Sequence, residues 1–231
     1  MTKRKYTFEQ LLYQFLKDKH SYANPNRSHP FIYSGDHQLW TTDNFCVLIV
    51  NPTIVRYGNK YPVHDCGFNL PEDNADIVLS VNDLQETLKK VASTKKYEYM
   101  TCPECKGSKR VYALYTSSRS FGTWHIETDC PVCNGNGVVK AKPVKFSLVP
   151  DERCYININD VAFKAPYIQR IVNVCNLAGV KEIHWVRVHK ENVNIFNINK
   201  DIKVAQMPCD PSKSEHPERN TIVLYSSNEK Q

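Results

Sequence analysis

The chain has 231 residues, 41% of them hydrophobic and 23% charged, with a formal charge of +6, which is globular composition with material for a real core and not that of a disordered chain. No apolar run approaches the roughly 20 residues that span a bilayer, and the basic start Met1-Thr2-Lys3-Arg4-Lys5 leads into an amphipathic stretch and not a signal core. The odd count of nine cysteines argues against a secreted disulfide scaffold, so the expectation is a soluble, cytoplasmic protein without a membrane partner.

Residues 7–19 read as a helix: Phe8, Leu11, Leu12, Phe15 and Leu16 recur at helical spacing, with Thr7 and Gln10 as a capping box. Residues 20–30 read as a loop. Pro30-Phe31-Ile32-Tyr33, a turn at Ser34-Gly35-Asp36, Gln38-Leu39-Trp40-Thr41-Thr42, then Asp43-Asn44 and the buried run Phe45–Val50 make a β-meander. Residues 51–75 read as irregular, with a short strand near Ile54-Val55. Ile77–Leu79 is a strand, and residues 82–93 a helix capped by Ser80 or Asn82, with Leu84, Leu88 and Val91 on one face.

Tyr97–Met100 leads into Cys102-Pro103-Glu104-Cys105-Lys106-Gly107. A second pair, Cys130-Pro131-Val132-Cys133-Asn134-Gly135, leads out through Val138-Val139 and Val144–Leu148. Two CxxC pairs supply the four thiolates of a tetrahedral structural zinc: Cys102, Cys105, Cys130 and Cys133. The glycine after each pair permits a tight turn that aims backbone amides at the sulfurs. A redox dithiol is disfavoured because neither pair sits in a βαβ context. A catalytic zinc would keep an open position, which four cysteines close. His125 and Asp129 read as surface residues and not ligands.

Between the pairs lie Tyr112, Tyr115, Arg119, Phe121 and Trp124. From Lys89 to Lys145, eleven Lys and Arg face four Asp and Glu, so the charge excess is local. Aromatics interleaved with basic residues suit stacking and phosphate contact. The competing reading packs the rings around the metal as a small hairpin core, and is preferred for Tyr112 and Trp124. Lys106, Lys109, Arg110, Arg119, Lys140 and Lys142 are the candidate DNA-binding residues.

The last third is the most regular. Cys154–Ile158 reads as a strand and residues 165–178 as a helix, with Pro166 in its first turn and Gly179 as its stop. Strands 182–188, 193–198 and 202–207 follow, a β-α-β-β-β unit ended by Pro208. Thr221–Tyr225 offers an edge strand in a polar tail. Cys46, Cys154, Cys175 and Cys209 read as small buried hydrophobes. Helix-plus-meander patterns recur earlier in the chain, so the fold class is α+β, with repeated units packing helices on one face of antiparallel sheet. The division is 1–100, a zinc-binding insert 101–138, a C-terminal unit 139–209 and a tail 210–231. No catalytic set emerges: His64-Asp65-Cys66 is a run of neighbours that do not converge on one atom, and Glu72-Asp73 lies solvated beside a proline.

Three stretches carry a family resemblance. Phe163-Lys164-Ala165-Pro166-Tyr167-Ile168 resembles the F-x-A-x-Y-L strand-to-helix junction of the bacterial DNA polymerase III beta sliding clamp. Ile202-Lys203-Val204-Ala205-Gln206-Met207-Pro208 resembles its terminal strand ending in Met-Pro. Trp40-Thr41-Thr42-Asp43-Asn44-Phe45 is similar to its A-T-D-G-H-R-L strand, with Asn44 where that pattern has glycine. The order of elements resembles clamp-like proteins of phages and mobile elements that carry a CxxCxG insert. The resemblance implies a non-enzymatic DNA-replication accessory that holds duplex DNA and a polymerase or other replication protein. The chain is shorter than the family's three domains, so a ring would be a homo-oligomer. The alternative is a zinc-stabilised protein-interaction module without DNA binding, because the paired CxxCxG also resembles half of the DnaJ cysteine-rich region.

Overall fold

The computed structural model describes residues 30–55, 60–65, 70–116, 122–213 and 221–224, together with Glu9, Leu12 and Phe15. It divides into two compact units. Of the described residues, one holds those up to Thr94 and from Val149 onward, the other Lys95–Leu148. Most of the expected helix at 7–19 lies outside the described residues. Glu9 and Leu12 are helical, and Leu12 and Phe15 are fully buried.

In the first unit the meander forms as expected: β1 (Phe31–Tyr33), β2 (Leu39–Thr42) and β3 (Cys46–Val50). Asp36 fixes the first turn, accepting from the Gln38 amide at 2.9 Å and from the Trp40 indole at 3.1 Å. Asp43 fixes the second, accepting from the amides of Phe45 and Cys46 at 3.0 and 2.9 Å. Asn44 there has φ 77°, a left-handed conformation that asparagine tolerates nearly as glycine does. The departure from glycine at this position is therefore physically mild.

After β3, Asn51 caps a short 3-10 turn over Pro52–Ile54, where a strand was expected. The Asn51 side chain captures the Thr53 amide, and Pro52 starts the turn. β4 (Val63–His64) pairs in parallel with β1, and β5 (Ile77–Ser80) leads into α1 (Val81–Lys90). Ser80 caps α1 by accepting from the Asp83 amide, and Leu84 and Leu88 are buried.

The C-terminal meander is β12 (Glu182–Arg187), β13 (Asn194–Asn199) and β14 (Ile202–Gln206). It joins the N-terminal meander through an antiparallel β3–β14 ladder, running from Ile202 opposite Val50 to Gln206 opposite Cys46. The result is one eight-stranded sheet in the order β4-β1-β2-β3-β14-β13-β12-β5. Period-two alternation places Trp185, Phe196 and Val204 on its core face. Trp185 stacks on Phe196 at 5.5 Å between ring centroids, and Phe163 meets both edge-on. Burying each such side chain contributes about 1.5–3 kcal/mol.

The expected strand at Cys154 is β10 (Tyr155–Ile158), but its neighbours differ from a simple β-α-β-β-β reading. It forms a hairpin with an additional strand, β11 (Val161–Lys164), and a parallel ladder with β15 (Thr221–Leu224). This is a separate three-stranded sheet. β11 runs straight into α2 (Ala165–Ala178), which Gly179 ends in the left-handed conformation. α2 packs against α1, with Gln85 donating to Asn176 at 2.8 Å. The fold is mixed α+β, mostly sheet, and no helix among the described residues is long and apolar enough to cross a membrane.

Candidate metal centre

The second unit is built from paired strands and two cysteine loops. β6 (Ser93–Thr101) and β9 (Val138–Pro150) pair with each other, and β7 (Arg110–Thr116) pairs with β8 (Thr123–Asp129). The first CxxC joins β6 to β7, and the second joins β8 to β9. Each loop starts where the other ends. The Cys102 amide donates to the Gly137 carbonyl at 2.9 Å, and the Cys130 amide to the Lys109 carbonyl at 2.8 Å.

The two loops are near-copies of each other. Lys106 and Asn134 have φ 50° and 48°, Gly107 and Gly135 have 90° and 73°, and Lys109 and Gly137 have 73° and 77°. These left-handed steps fold the chain back so that its amides face sulfur. The Gly137 amide donates to Cys133 Sγ at 3.1 Å, and the Gly107 and Lys109 amides donate to the Cys105 sulfur. Gly137 is also a point of close approach: a Cβ there would lie 3.0 Å from the Gly107 carbonyl oxygen.

All four Sγ atoms lie within 4.8 Å of one another. Cys102 and Cys130 are 3.8 Å apart, and Cys105 and Cys133 are 3.7 Å apart. Four sulfurs at about 2.3 Å from a tetrahedral zinc are about 3.8 Å from one another. The cluster is buried, with Val111 and Val139 packed against it. Burial pushes the Cys105 thiol up, but the Gly107 and Lys109 amides and the neighbouring thiols outweigh it and bring it down to about 7. Burial, with the neighbouring sulfurs, pushes Cys133 up to about 11. Such a set of close sulfurs, one already drawn towards the thiolate, can hold a metal ion.

The remaining cysteines differ. Cys46, Cys154 and Cys175 are buried and Cys209 is half-buried, and burial raises the pKa of all four, to about 12 for Cys175. Cys66 lies outside the described residues.

The basic candidates fall in several places. Lys106 and Lys109 lie on the first cysteine loop and Lys140 on β9. Arg110 opens β7 and pairs with Glu127 at 3.2 Å and Asp129 at 3.9 Å. Lys142 is on β9, and Arg119 lies outside the described residues.

Among the described residues, the aromatic side chains of the insert do not pack around the sulfurs. Tyr112 is 80% exposed and Trp124 46% exposed, so the hairpin-core reading fails for both. The hairpin has only two strands, and the sulfur cluster at its base is lined by Val111 and Val139 instead. These two valines and Ser108, whose hydroxyl donates to the Cys105 and Arg110 carbonyls, were not singled out from sequence. The serine beside CxxCxG was the available signal.

Three comparisons bear on this chain. The family described as GRXCR1/2, C-terminal domain, matches residues 93–145, less than half of the chain and nearly the range of the cysteine-bearing unit. No curated protein matches the sequence. Similar solved structures are DNA polymerase III beta sliding clamps. The Caulobacter crescentus clamp has 11% identity and a TM-score of 0.40 over 87% of this chain and 64% of its own length. The Pseudomonas aeruginosa clamp has 10% identity and a TM-score of 0.40 over 86% and 62%. The Thermotoga maritima clamp has 13% identity and a TM-score of 0.33 over 75% of this chain. This chain thus spans 54% of the Thermotoga clamp and less than two thirds of the other two.

Proposed function

We propose that this protein is a non-enzymatic accessory of DNA replication, sliding-clamp-like, whose second unit is held together by a structural zinc. The observation that carries the zinc is the spacing of the four sulfurs, 3.7 and 3.8 Å between loops, which matches tetrahedral thiolate coordination. Cys102, Cys105, Cys130 and Cys133 are the ligands, and the amides of Gly107, Lys109 and Gly137 orient them.

The DNA reading is supported by the charge of the same unit. Lys95–Leu148 carries nine Lys and Arg against four Asp and Glu. Lys106, Lys109, Arg110, Arg119, Lys140 and Lys142 would meet duplex phosphates without reading bases, which permits sliding. The clamp reading rests on the sequence motifs. The first falls at the β11–α2 junction and the second on β14, the strand that joins the two meanders. A polymerase or other replication protein is the proposed protein partner, and several copies would be needed for a ring. The division into 1–100, 101–138, 139–209 and 210–231 belongs to this proposal.

Two measurements test it. Metal analysis of the purified protein should give about one zinc per chain, and no zinc with four freely titratable thiols rejects the site. Duplex affinity should fall steeply between low and moderate salt, with a log–log slope of about −0.9 per phosphate contact. Lys106→Ala, Lys109→Ala and Lys140→Ala should each reduce that slope by about 1. A zinc-stabilised protein-interaction module is the second reading, favoured by exposed Leu114 and Ile126 on the hairpin. It gains if duplex DNA does not bind or binds without salt dependence.

A further inference from the structure

The β7–β8 ladder pairs Val111 with Thr128, Ala113 with Ile126 and Tyr115 with Trp124. Period-two alternation puts these six side chains on one face. The other face carries Arg110 with Asp129, Tyr112 with Glu127, and Leu114 with His125. Both carboxylates of the hairpin therefore lie on the second face, where Arg110 engages them. Among the described residues of the hairpin, the first face carries no acidic side chain to repel an anion. It presents two aromatic rings side by side, Tyr115 and Trp124, with centroids 6.3 Å apart and planes tilted by 32°. Tyr115 is 54% exposed and Trp124 46% exposed. Gly122 makes room for the indole: a Cβ there would lie 2.5 Å from the ring.

We infer that the Tyr115–Trp124 face of this hairpin is a stacking platform for unpaired nucleotides of single-stranded nucleic acid. The inference rests on the nucleic-acid reading of the basic unit and adds a second binding mode to it. Each nucleobase has a flat π-face, so stacking on exposed rings needs no sequence match. The strand's phosphates are drawn by the positive balance of the same unit, nine Lys and Arg against four Asp and Glu. A duplex keeps its bases stacked internally and offers this face little, so the platform distinguishes unpaired strand from duplex. An apolar protein partner would use the same rings without needing the charge.

The tryptophans make the test direct. Trp40 and Trp185 are 2% and 0% exposed, so quenching of accessible emission reports Trp124. Zinc-replete protein is titrated with oligo(dU) and oligo(U) of about 15 nucleotides, near the upper end of common site sizes, and with blunt duplex. Binding of either strand with emission quenching is expected, and the pair of probes identifies the sugar preferred. Trp124→Ala and Tyr115→Ala should each weaken single-strand binding about tenfold, with duplex affinity and zinc content unchanged. Tyr112→Ala, on the opposite face, should leave it within about threefold. Because Trp124→Ala can loosen the hairpin, Trp124→Phe and Trp124→Leu are read together, and the ring-bearing variant should retain affinity while the aliphatic one loses it. Single-strand binding that ignores both ring deletions, or that depends equally on Tyr112, overturns the platform while duplex binding leaves the basic reading intact. If neither duplex nor single strand binds, both readings fall.

Discussion

At the residue scale, Asp43 does more than turn the chain. Its second oxygen meets Arg170 at 2.6 Å, and that guanidinium lies over the rings of Tyr167 and Phe15 at 5.0 and 5.7 Å. One carboxylate thus ties the β2–β3 turn to α2. Asp43→Ala would strand a half-buried guanidinium and orphan two amides, so a loss of about 3–5 kcal/mol is expected in urea denaturation. Asp43→Asn keeps an oxygen for the amides and should cost less. A pair of glycines separates strain from crowding. Gly179 has φ 71° with nothing within 4 Å, whereas Gly137 has φ 77° and abuts a carbonyl. Gly179→Ala should cost about 1–2 kcal/mol of stability with no change in metal binding. Gly137→Ala should weaken zinc retention against a competing chelator by tenfold or more, because the Gly137 amide that donates to the Cys133 sulfur must move. The Asp43 turn and the amide-to-sulfur bonds within each CxxCxG loop were legible because their partners are a few residues away. Arg170 was not, because nothing near it in sequence marks residue 43 as its partner.

At the scale of elements, the β7–β8 hairpin has almost no core. Its side chains are exposed or half-buried, and its apolar anchorage is the sulfur cluster with Val111 and Val139. A two-stranded ribbon of this kind is marginal without a staple. Chelation of the metal should therefore release β7 and β8 to fast amide exchange while β12, β13 and β14 stay protected, as read by hydrogen-exchange mass spectrometry. Loss of protection throughout would contradict independent anchorage. The sequence offered a small hairpin here but placed Tyr112 and Trp124 in its core, where the structure exposes them. Alternating apolar residues ordinarily mean burial, and alternation alone does not say whether a second layer exists. For α1 and α2 the helical periodicity succeeded, because Leu84, Leu88, Ile168 and Val172 all reach one core.

At the scale of the molecule, β14 is the strand on which the large sheet depends. It is the neighbour of both β3 and β13, linking segments more than 150 residues apart. A chain ending at Asn199 should lose not only β14 but the order of the N-terminal meander, detectable as lost protection at Leu48 and Ile49. Retained protection there would show that β1–β3 stands alone. The two meanders were legible as a repeated pattern, but their joining through β3 and β14 was not. The swap of β10 into a sheet with β11 and β15 was not, because β15 arrives more than 60 residues later, and register between distant strands leaves no local trace.

The reciprocal bonds at the cysteine loops have a practical corollary. The Cys102 amide bonded to the Gly137 carbonyl means that the chain leaves and returns at one point. Thirty-six residues can then be removed, and Thr101 rejoined to Val138 by a tight turn, without stretching the strands that remain. A deletion of this stretch is expected to leave β6 paired with β9, as read by amide exchange.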